Sequence, residues 1–285
     1  MRRLASILAL ALATASTLAP QAALANAPAA PTAAINPALA AAVADPRRAE
    51  DRARDAYRHP AEMLAFFDVQ PGMKVGEYAP GGGWFSRLLG LYLGPKGQLS
   101  GVFFNPLSGA FSEAAQKGIR DGAVKYPADV AGWSGQPASH FSALTLDAIP
   151  DSEKGTFDRI LMLRMIHNLT RWNIADSEIR AIRTLLKDGG MVGIEQHRAR
   201  PDAPFSYSDG SKGYLREADV IRLMESNGFD LVARSEINAN PKDPANWPDG
   251  VWTLPPTYRN GDVDRAKYAA IGESDRMTLL FRKRP

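Results

Sequence analysis

The chain contains no cysteine in its 285 residues, which excludes disulfide bonds, thiolate ligands and the lipid-modified cysteine of a lipoprotein. It also lacks a strong charge of one sign, because 34 lysines and arginines nearly balance 31 aspartates and glutamates. Neither a basic stripe nor basic residues interleaved with aromatics is evident, so a nucleic-acid partner is not expected. The apolar run near the N-terminus is interrupted by polar residues and Pro20, and it is short for a membrane span of about 20 residues.

Residues 1–25 have the pattern of a secretory signal peptide. Arg2 and Arg3 form a basic start, a stretch rich in Ala and Leu follows, and an Ala-Leu-Ala sequence ends at Ala25. Cleavage there would lower the formal net charge from +3 to +1, since two arginines are removed. We expect an exported protein, periplasmic or secreted, without stable membrane insertion after cleavage; a membrane anchor is the alternative. The Ala/Pro-rich residues 26–45 lack large apolar residues at a helical period, which predicts a flexible leader.

From Pro46 onward, helical and strand patterns alternate, which is typical of a mostly parallel sheet covered by helices. The length and apolar content fit a single domain over residues 46–285. The first predicted strand ends at Glu77, and the others cover residues 98–104, 141–146, 157–164, 191–196, 229–237 and 277–283. The last strand has no room before it for an ordinary crossover helix, so we expect it to be antiparallel.

The turn after the first predicted strand contains three consecutive glycines, Gly81, Gly82 and Gly83. Without Cβ atoms, such a turn lets a ligand lie against the backbone and meet the free N–H groups of the following helix. The dinucleotide pattern G-x-G-x-x-G does not fit, because a serine occupies the third position. The spacing of Glu77, Ala79, Gly81 and Gly83 instead resembles the first motif of class I S-adenosylmethionine (SAM) methyltransferases, with Ala79 in place of a glycine. A glycine-rich connection without a ligand is the alternative.

The order of elements over residues 73–283 also resembles a class I methyltransferase, including the segment LLKDGGMVGIE. A closer similarity, to a group of signal-bearing, predicted SAM-dependent methyltransferases of bacteria, is carried by RHPAEMLAFFDVQPGMKV, by MIHN, and by the tail SEINANPKDPANWPDGVWTLPPTYR with IGESDRMTL. The resemblance implies a Rossmann-like three-layer sandwich, a mostly parallel seven-stranded sheet, SAM as cofactor and a small-molecule substrate.

The same resemblance implies the cofactor contacts. The backbone of residues 79–83 would face the amino-acid part of SAM, and Glu77 would receive its ammonium group. A carboxylate at the end of the second strand usually accepts the ribose hydroxyls, but that position falls here on Phe103 or Phe104. Asp147 is expected to meet the adenine amino group, or else to be a solvated turn residue. The missing acid favours an alternative function, in which a methyltransferase fold binds an exported metabolite without methyl transfer.

Polar residues cluster at the predicted carboxyl ends of the fourth and fifth strands: Arg164, His167, Asn168, Glu195 and His197. Methyl transfer needs an aligned acceptor and often a base, for which His167 is our first candidate and Glu195 the second. Arg164, Asn168 and His197 are expected to contact the substrate. His167 as a buried structural residue is the alternative. His167, Glu195 and His197 also resemble the ligands of a metal-dependent hydrolase, but strand alternation sends Gln196 and His197 to different sides, so no metal is expected.

Residues 238–276 connect the last two predicted strands and must begin and end beside the ligand crevice of such a sheet. Loops of this length without regular structure are commonly lids or binding loops. We therefore expect Trp247, Trp252 and the Pro255-Pro256 pair to cover the ligand or to shape the substrate pocket. A structural flap packed on the sheet edge is the alternative.

Overall fold

A computed structural model describes residues 34–285, so the predicted signal peptide and the start of the predicted leader lie outside the described residues. One seven-stranded sheet has the strand order β3-β2-β1-β4-β5-β7-β6. Its strands are β1 (Lys74–Tyr78), β2 (Gln98–Phe103), β3 (Phe141–Thr145), β4 (Phe157–Leu163), β5 (Leu186–His197), β6 (Phe229–Ser235) and β7 (Arg276–Lys283). The first five strands pair in parallel, and β7 is antiparallel to both β5 and β6. The predicted fold class, with its antiparallel last strand, is confirmed.

Helices cover both faces of the sheet. They are α1 (Pro37–Ala44), α2 (Asp55–Arg58), α3 (Pro60–Phe66), α4 (Trp84–Tyr92), α5 (Glu113–Ser134), α6 (Ile166–Arg171), α7 (Ala175–Leu185), α8 (Phe205–Ser208), α9 (Glu217–Ser226) and α10 (Arg265–Ile271). Apolar residues of β4 alternate between two cores: Ile160 and Met162 pack with α6, α7 and α9, whereas Leu161 and Leu163 pack with α1, α3, α4 and α5. This period of two is what a sheet covered on both faces requires.

The N-terminal segment of the described chain corrects one prediction. Residues 37–44 are not a flexible leader but the helix α1, which begins where the Asn36 side chain accepts the Leu39 N–H at 2.8 Å. Leu39 and Ala42 are buried in the same core as α3 and α4. A helix that buries one leucine among alanines has almost no apolar periodicity, so the pattern that predicts amphipathic helices missed it.

Residues 238–276 fold into an ordered flap with its own small core, which includes Trp247, Leu254 and Tyr268. They contain α10 and a 3₁₀ turn at Val251–Thr253, so the expectation of no regular structure was wrong. The buried Asp243 carboxylate holds the flap together, because it accepts the Trp247 indole N–H, the Tyr214 hydroxyl and two backbone N–H groups, each at 2.9 Å. Within residues 34–285, no helix is long and apolar enough to cross a bilayer.

Candidate functional site

The glycine turn lies at the carboxyl end of β1, between β1 and α4. Ala79, Gly81 and Gly83 have φ angles of 47°, 57° and 74°, in the left-handed region that favours glycine. Ala79 therefore adopts a conformation that costs a residue with a side chain about 1–2 kcal/mol. Its N–H donates to the Val102 carbonyl of β2 at 2.8 Å, which fixes the start of the turn. The alanine in the glycine position of the motif thus has a backbone conformation that glycine would adopt without this cost.

The structure gives a different reason for glycine at each of the three positions. A Cβ at Gly83 would lie 2.3 Å from the Trp133 ring, so packing against α5 requires glycine there. Gly81 is required by its positive φ angle. Gly82 has neither constraint, because no described atom beyond its two chain neighbours lies within 4 Å of the position its Cβ would take. The Gly82 carbonyl accepts a hydrogen bond from Arg87 Nη1 at 3.0 Å, but the space beside its Cα is open, as close approach of a ligand requires.

Glu77 lies beside this turn, within β1, and is only 4% exposed. Burial raises the pKa of its carboxyl to about 7, although the Ser86 hydrogen bond and the charges of Arg164 and Arg87 oppose the rise. The Ser86 hydroxyl donates to the carboxyl at 2.5 Å. A carboxyl with this pKa gives up its proton readily when a cation arrives, so Glu77 has the chemistry of an ammonium receptor.

Two adjoining clefts open at this edge of the sheet. The first, called here the glycine cleft, has a volume of about 440 Å³ and is lined by residues 77–82, the start of α4 and residues 163–165. The second, the histidine cleft, has a volume of about 280 Å³ and is lined by His167, Asn168, His197 and Trp252, together with other flap residues. Arg54, Arg58 and Arg164 line both clefts. The predicted cofactor turn and the predicted substrate residues therefore meet at three arginines.

His167 and His197 face each other in the histidine cleft, with ring centroids 5.6 Å apart. Gln196 and His197 are adjacent in β5, and both contact His167, because this histidine lies beyond the strand ends on α6. Their other contacts differ, since Gln196 bonds to Gly213 and His197 to Ser274. The Gln196 amide nitrogen donates to the Gly213 carbonyl at 2.9 Å, so its oxygen faces His167 Nδ1 at 3.3 Å. Nδ1 of His167 must then carry the proton, which leaves Nε2 as the acceptor.

Both histidines are neutral at pH 7. Burial, helped by the charges of Arg171 and Arg164, lowers the pKa of His167 to about 4, although the Gln196 hydrogen bond opposes this. Burial, His167 and Arg276 hold the pKa of His197 well below its usual value. A neutral imidazole can accept a proton, but this low pKa makes His167 a weaker base than an ordinary histidine.

Glu195 does not have the freedom of a general base. It is fully buried in β5 and pairs with Arg164 through one oxygen and with Arg276, at 3.0 Å, through the other. Its role in this structure is to hold Arg164, whose backbone has a φ angle of 58°. In the part of the chain that the structure describes, no group of three or more His, Asp or Glu residues is arranged to hold a metal ion.

Two predicted cofactor contacts are not brought to the clefts. Phe104 packs among the rings of Tyr78, Phe111 and Trp172, at centroid distances of 5.3–5.7 Å. Asp147 accepts a hydrogen bond from Arg120 at 2.9 Å. Among the residues described, neither side chain lines the glycine cleft, so both contacts stay predictions that this arrangement does not favour.

Sequence reasoning missed several buried charges around the site. Glu178 of α7 accepts the Tyr78 hydroxyl at 2.5 Å and the Asn105 N–H at 3.0 Å, beside the end of β2 where a carboxylate was expected. Arg58 and Glu273 lie in the histidine cleft. The signal for Arg58 and Glu273 was the closer family similarity, because RHPAEM contains Arg58 and IGESDR contains Glu273. These distant segments meet at one cleft.

The flap supplies the outer wall of the histidine cleft. Trp252 lies edge-on to His167, with ring centroids 6.0 Å apart, and the Pro255-Pro256 pair, joined by a cis peptide bond, lines the cleft beside it. Trp247 is buried in the core of the flap and does not line the histidine cleft, so its expected role in covering the ligand or shaping the pocket stays a prediction that this arrangement does not favour. The flap therefore both packs as a structural unit and shapes a pocket.

No family model and no curated protein matches the sequence. Among solved structures, the chain is similar to a SAM-dependent methyltransferase from Aquifex aeolicus, with 16% identity, a TM-score of 0.50, and coverage of 84% of this chain and 94% of that one. It is also similar to the [4+2]-cyclase SpnF, with 16% identity, a TM-score of 0.52, and coverage of 83% of this chain and 82% of that one. Identity at this level shows the fold alone: the chain has the Rossmann-like α/β fold of class I methyltransferases.

Proposed function

We propose that the chain is a SAM-dependent methyltransferase that acts on a small molecule after export to the periplasm. The observation that carries the proposal is the open backbone at Gly82, next to the buried Glu77, in a cleft of about 440 Å³. This volume lies within the range of small-molecule sites. The fold shared with the Aquifex aeolicus enzyme supports the same cofactor.

The amino-acid half of SAM fits the residues present. The turn offers backbone that is free of side chains, and Glu77 offers a carboxyl with a pKa of about 7 for an ammonium group. When bound, SAM supplies an electrophilic methyl group. Nε2 of His167 would accept the proton of the acceptor, and Trp252 and the two prolines would exclude water from the histidine cleft.

Calorimetric titration with SAM and with S-adenosylhomocysteine tests the cofactor without a known acceptor. We expect micromolar binding by the wild-type protein and its loss in Gly82→Val, which fills the open backbone position. Gly118→Val is the matched control, because Gly118 lies on α5 and its Cβ would also meet no described atom within 4 Å. Folded wild-type protein that binds neither compound would refute the proposal, and so would equal binding by Gly82→Val.

One observation favours a second function, a binding protein that does not transfer methyl groups. No carboxylate lies in β2 or in the two residues after it, and Phe104 is packed in an aromatic cluster where ribose contacts were expected. Such a protein would bind a metabolite but form no S-adenosylhomocysteine with any acceptor offered. Mass spectrometric detection of S-adenosylhomocysteine therefore distinguishes the two functions.

Export rests on the signal-like pattern of residues 1–25. We expect the protein recovered from the periplasmic fraction to begin at Asn26. N-terminal sequencing of that material measures this directly. Recovery of the protein only from the cytoplasm, with residues 1–25 intact, would contradict the proposed location without affecting the proposed chemistry.

A further inference from the structure

The two clefts share an excess of positive charge. Within residues 34–285, four guanidinium groups surround two carboxylates: Arg54, Arg58 and Arg276 pair with Glu273, and Arg164 and Arg276 pair with Glu195. The charges of Arg276, Arg58 and Arg54 outweigh burial and hold the pKa of Glu273 at about 2, so it is ionised. Both cleft histidines are neutral, so the four guanidinium groups and two carboxylates carry a net charge of +2. Glu77 in the glycine cleft, with a pKa of about 7, is about half ionised at pH 7 and offsets only part of this charge.

Arg58 is the least compensated member of this group. Its side chain is only 5% exposed, and its single ion pair, from Nε to Glu273, is long at 3.4 Å. Its two terminal nitrogens make no hydrogen bond within the described residues, although the guanidinium lies 4.6 Å from the centre of the Trp84 ring. Burial, together with the charge of Arg164, lowers the pKa of Arg58 to about 9, although the charge of Glu273 opposes this.

The neighbouring arginines also present unused donors. Arg54 uses only Nε, and the Arg164 side chain uses only Nη1, for hydrogen bonds with the rest of the described chain. All three arginines line both clefts, so three guanidinium groups with unused donors border the space between the glycine turn and the histidine pair. Converging guanidinium groups recognise the oxygens of carboxylates and phosphates.

We infer that the methyl acceptor is an anion, whose carboxylate or phosphate group binds to Arg54, Arg58 and Arg164 in the histidine cleft. The inference rests on the proposed function. The single carboxylate of SAM would balance only part of the excess charge, and the flap residues Trp252 and Pro255 place an apolar wall beside the arginines. A flat or hydrophobic body joined to an oxyanion matches this combination.

An anion would also change His167. Positive charge from Arg164 and Arg171 contributes to its low pKa, so a bound oxyanion raises that pKa and strengthens the base. The acceptor would thus help to activate the residue that receives its proton. An uncharged acceptor would leave His167 weak.

The test is a calorimetric titration of the purified protein with benzoate and, separately, with inorganic phosphate, at constant ionic strength. Each titration is repeated with saturating S-adenosylhomocysteine. We expect at least one anion to bind both with and without this nucleoside, and its affinity to fall by about tenfold or more in Arg58→Met. Arg200→Met is the control, because Arg200 is exposed, pairs with Asp202 and lines neither cleft; its affinity should match the wild type. If Arg58→Met does not fold, Arg54→Met replaces it.

Binding of benzoate alone would identify a carboxylate acceptor, and binding of phosphate alone a phosphorylated one. The inference is overturned if neither anion binds, if the arginine variants bind as well as the wild type, or if S-adenosylhomocysteine displaces the anion. Displacement would assign the arginines to the carboxylate of the cofactor. Anion binding without any binding of S-adenosylhomocysteine would support the anion site and refute the proposed methyltransferase, so the two failures are distinguishable.

Discussion

Ionisation of the buried Glu77 carboxyl should destabilise the folded protein, and the variant Glu77→Gln measures the size of this effect. Burial raises the pKa of Glu77 from 4.5 to about 7, so the folded state resists ionisation that the unfolded chain permits. The stability associated with the protonated form is fully present below about pH 4.5 and is lost as the pH rises through about 7. Glutamine has nearly the same shape, can accept the Ser86 hydroxyl and never ionises.

The expected magnitude follows from the two pKa values. At about 1.36 kcal/mol per pH unit, the difference corresponds to a cost of about 3 kcal/mol at pH 8 and less than about 1 kcal/mol at pH 5. Glu77→Gln should therefore raise the free energy of unfolding relative to wild type by about 2.5 kcal/mol more at pH 8 than at pH 5. Comparing two proteins at each pH cancels most other titrations.

Urea unfolding followed by tryptophan fluorescence gives both free energies. Glu225→Gln is the control, because this exposed glutamate should change stability equally at both pH values. Glu77→Gln should also lose affinity for SAM, because the ammonium group of SAM would meet the neutral amide of the introduced glutamine in place of a carboxylate. The argument is refuted if the free energies of unfolding of Glu77→Gln and wild type differ by the same amount at pH 5 and pH 8. That result would show that ionisation of Glu77 does not destabilise the folded state.

Three further predictions concern the fold and the base. Gly83→Ala should lower the free energy of unfolding by about 2–4 kcal/mol, because the new Cβ would meet Trp133 and the φ angle is positive. Gly82→Ala is the control and should change this free energy by less than about 1 kcal/mol. Equal effects of the two variants in urea unfolding would contradict the packing argument. Leu39→Ala should cost about 2–4 kcal/mol in the same assay, and no loss would mean that α1 does not pack. His167→Gln should abolish methyl transfer while calorimetry still detects SAM, and full turnover would exclude His167 as the base.

Local sequence patterns predicted the elements that depend on local physics. Each strand was visible because a buried strand needs either an apolar run or a period of two, and α4 was visible because Phe85, Leu88 and Leu89 lie on one buried face. The same reasoning failed for α1, where Leu39 is the one large buried side chain. It also failed for the flap, whose core joins Trp247 and Tyr268 to Tyr214, in the chain before β6.

The candidate site divides in the same way. The glycine turn could be found from sequence, because backbone freedom is a property of the residues themselves, and so could the polar strand ends with His167. The fate of Glu195 could not be predicted, since it depends on Arg276, a residue far along the chain in β7. The pair between Arg58 and Glu273 joins residues 215 positions apart.

The α/β alternation, the antiparallel last strand and the glycine turn could be predicted from the residues alone, because they follow from periodicity, connection length and the absence of Cβ atoms. Which polar groups are free to act depends on the folded arrangement. In the folded protein, Glu195 pairs with arginines, open space lies beside Gly82, and Arg58 makes a single long ion pair. Charge balance in a buried cleft is a sum over segments that meet only after folding, so no local pattern contains it.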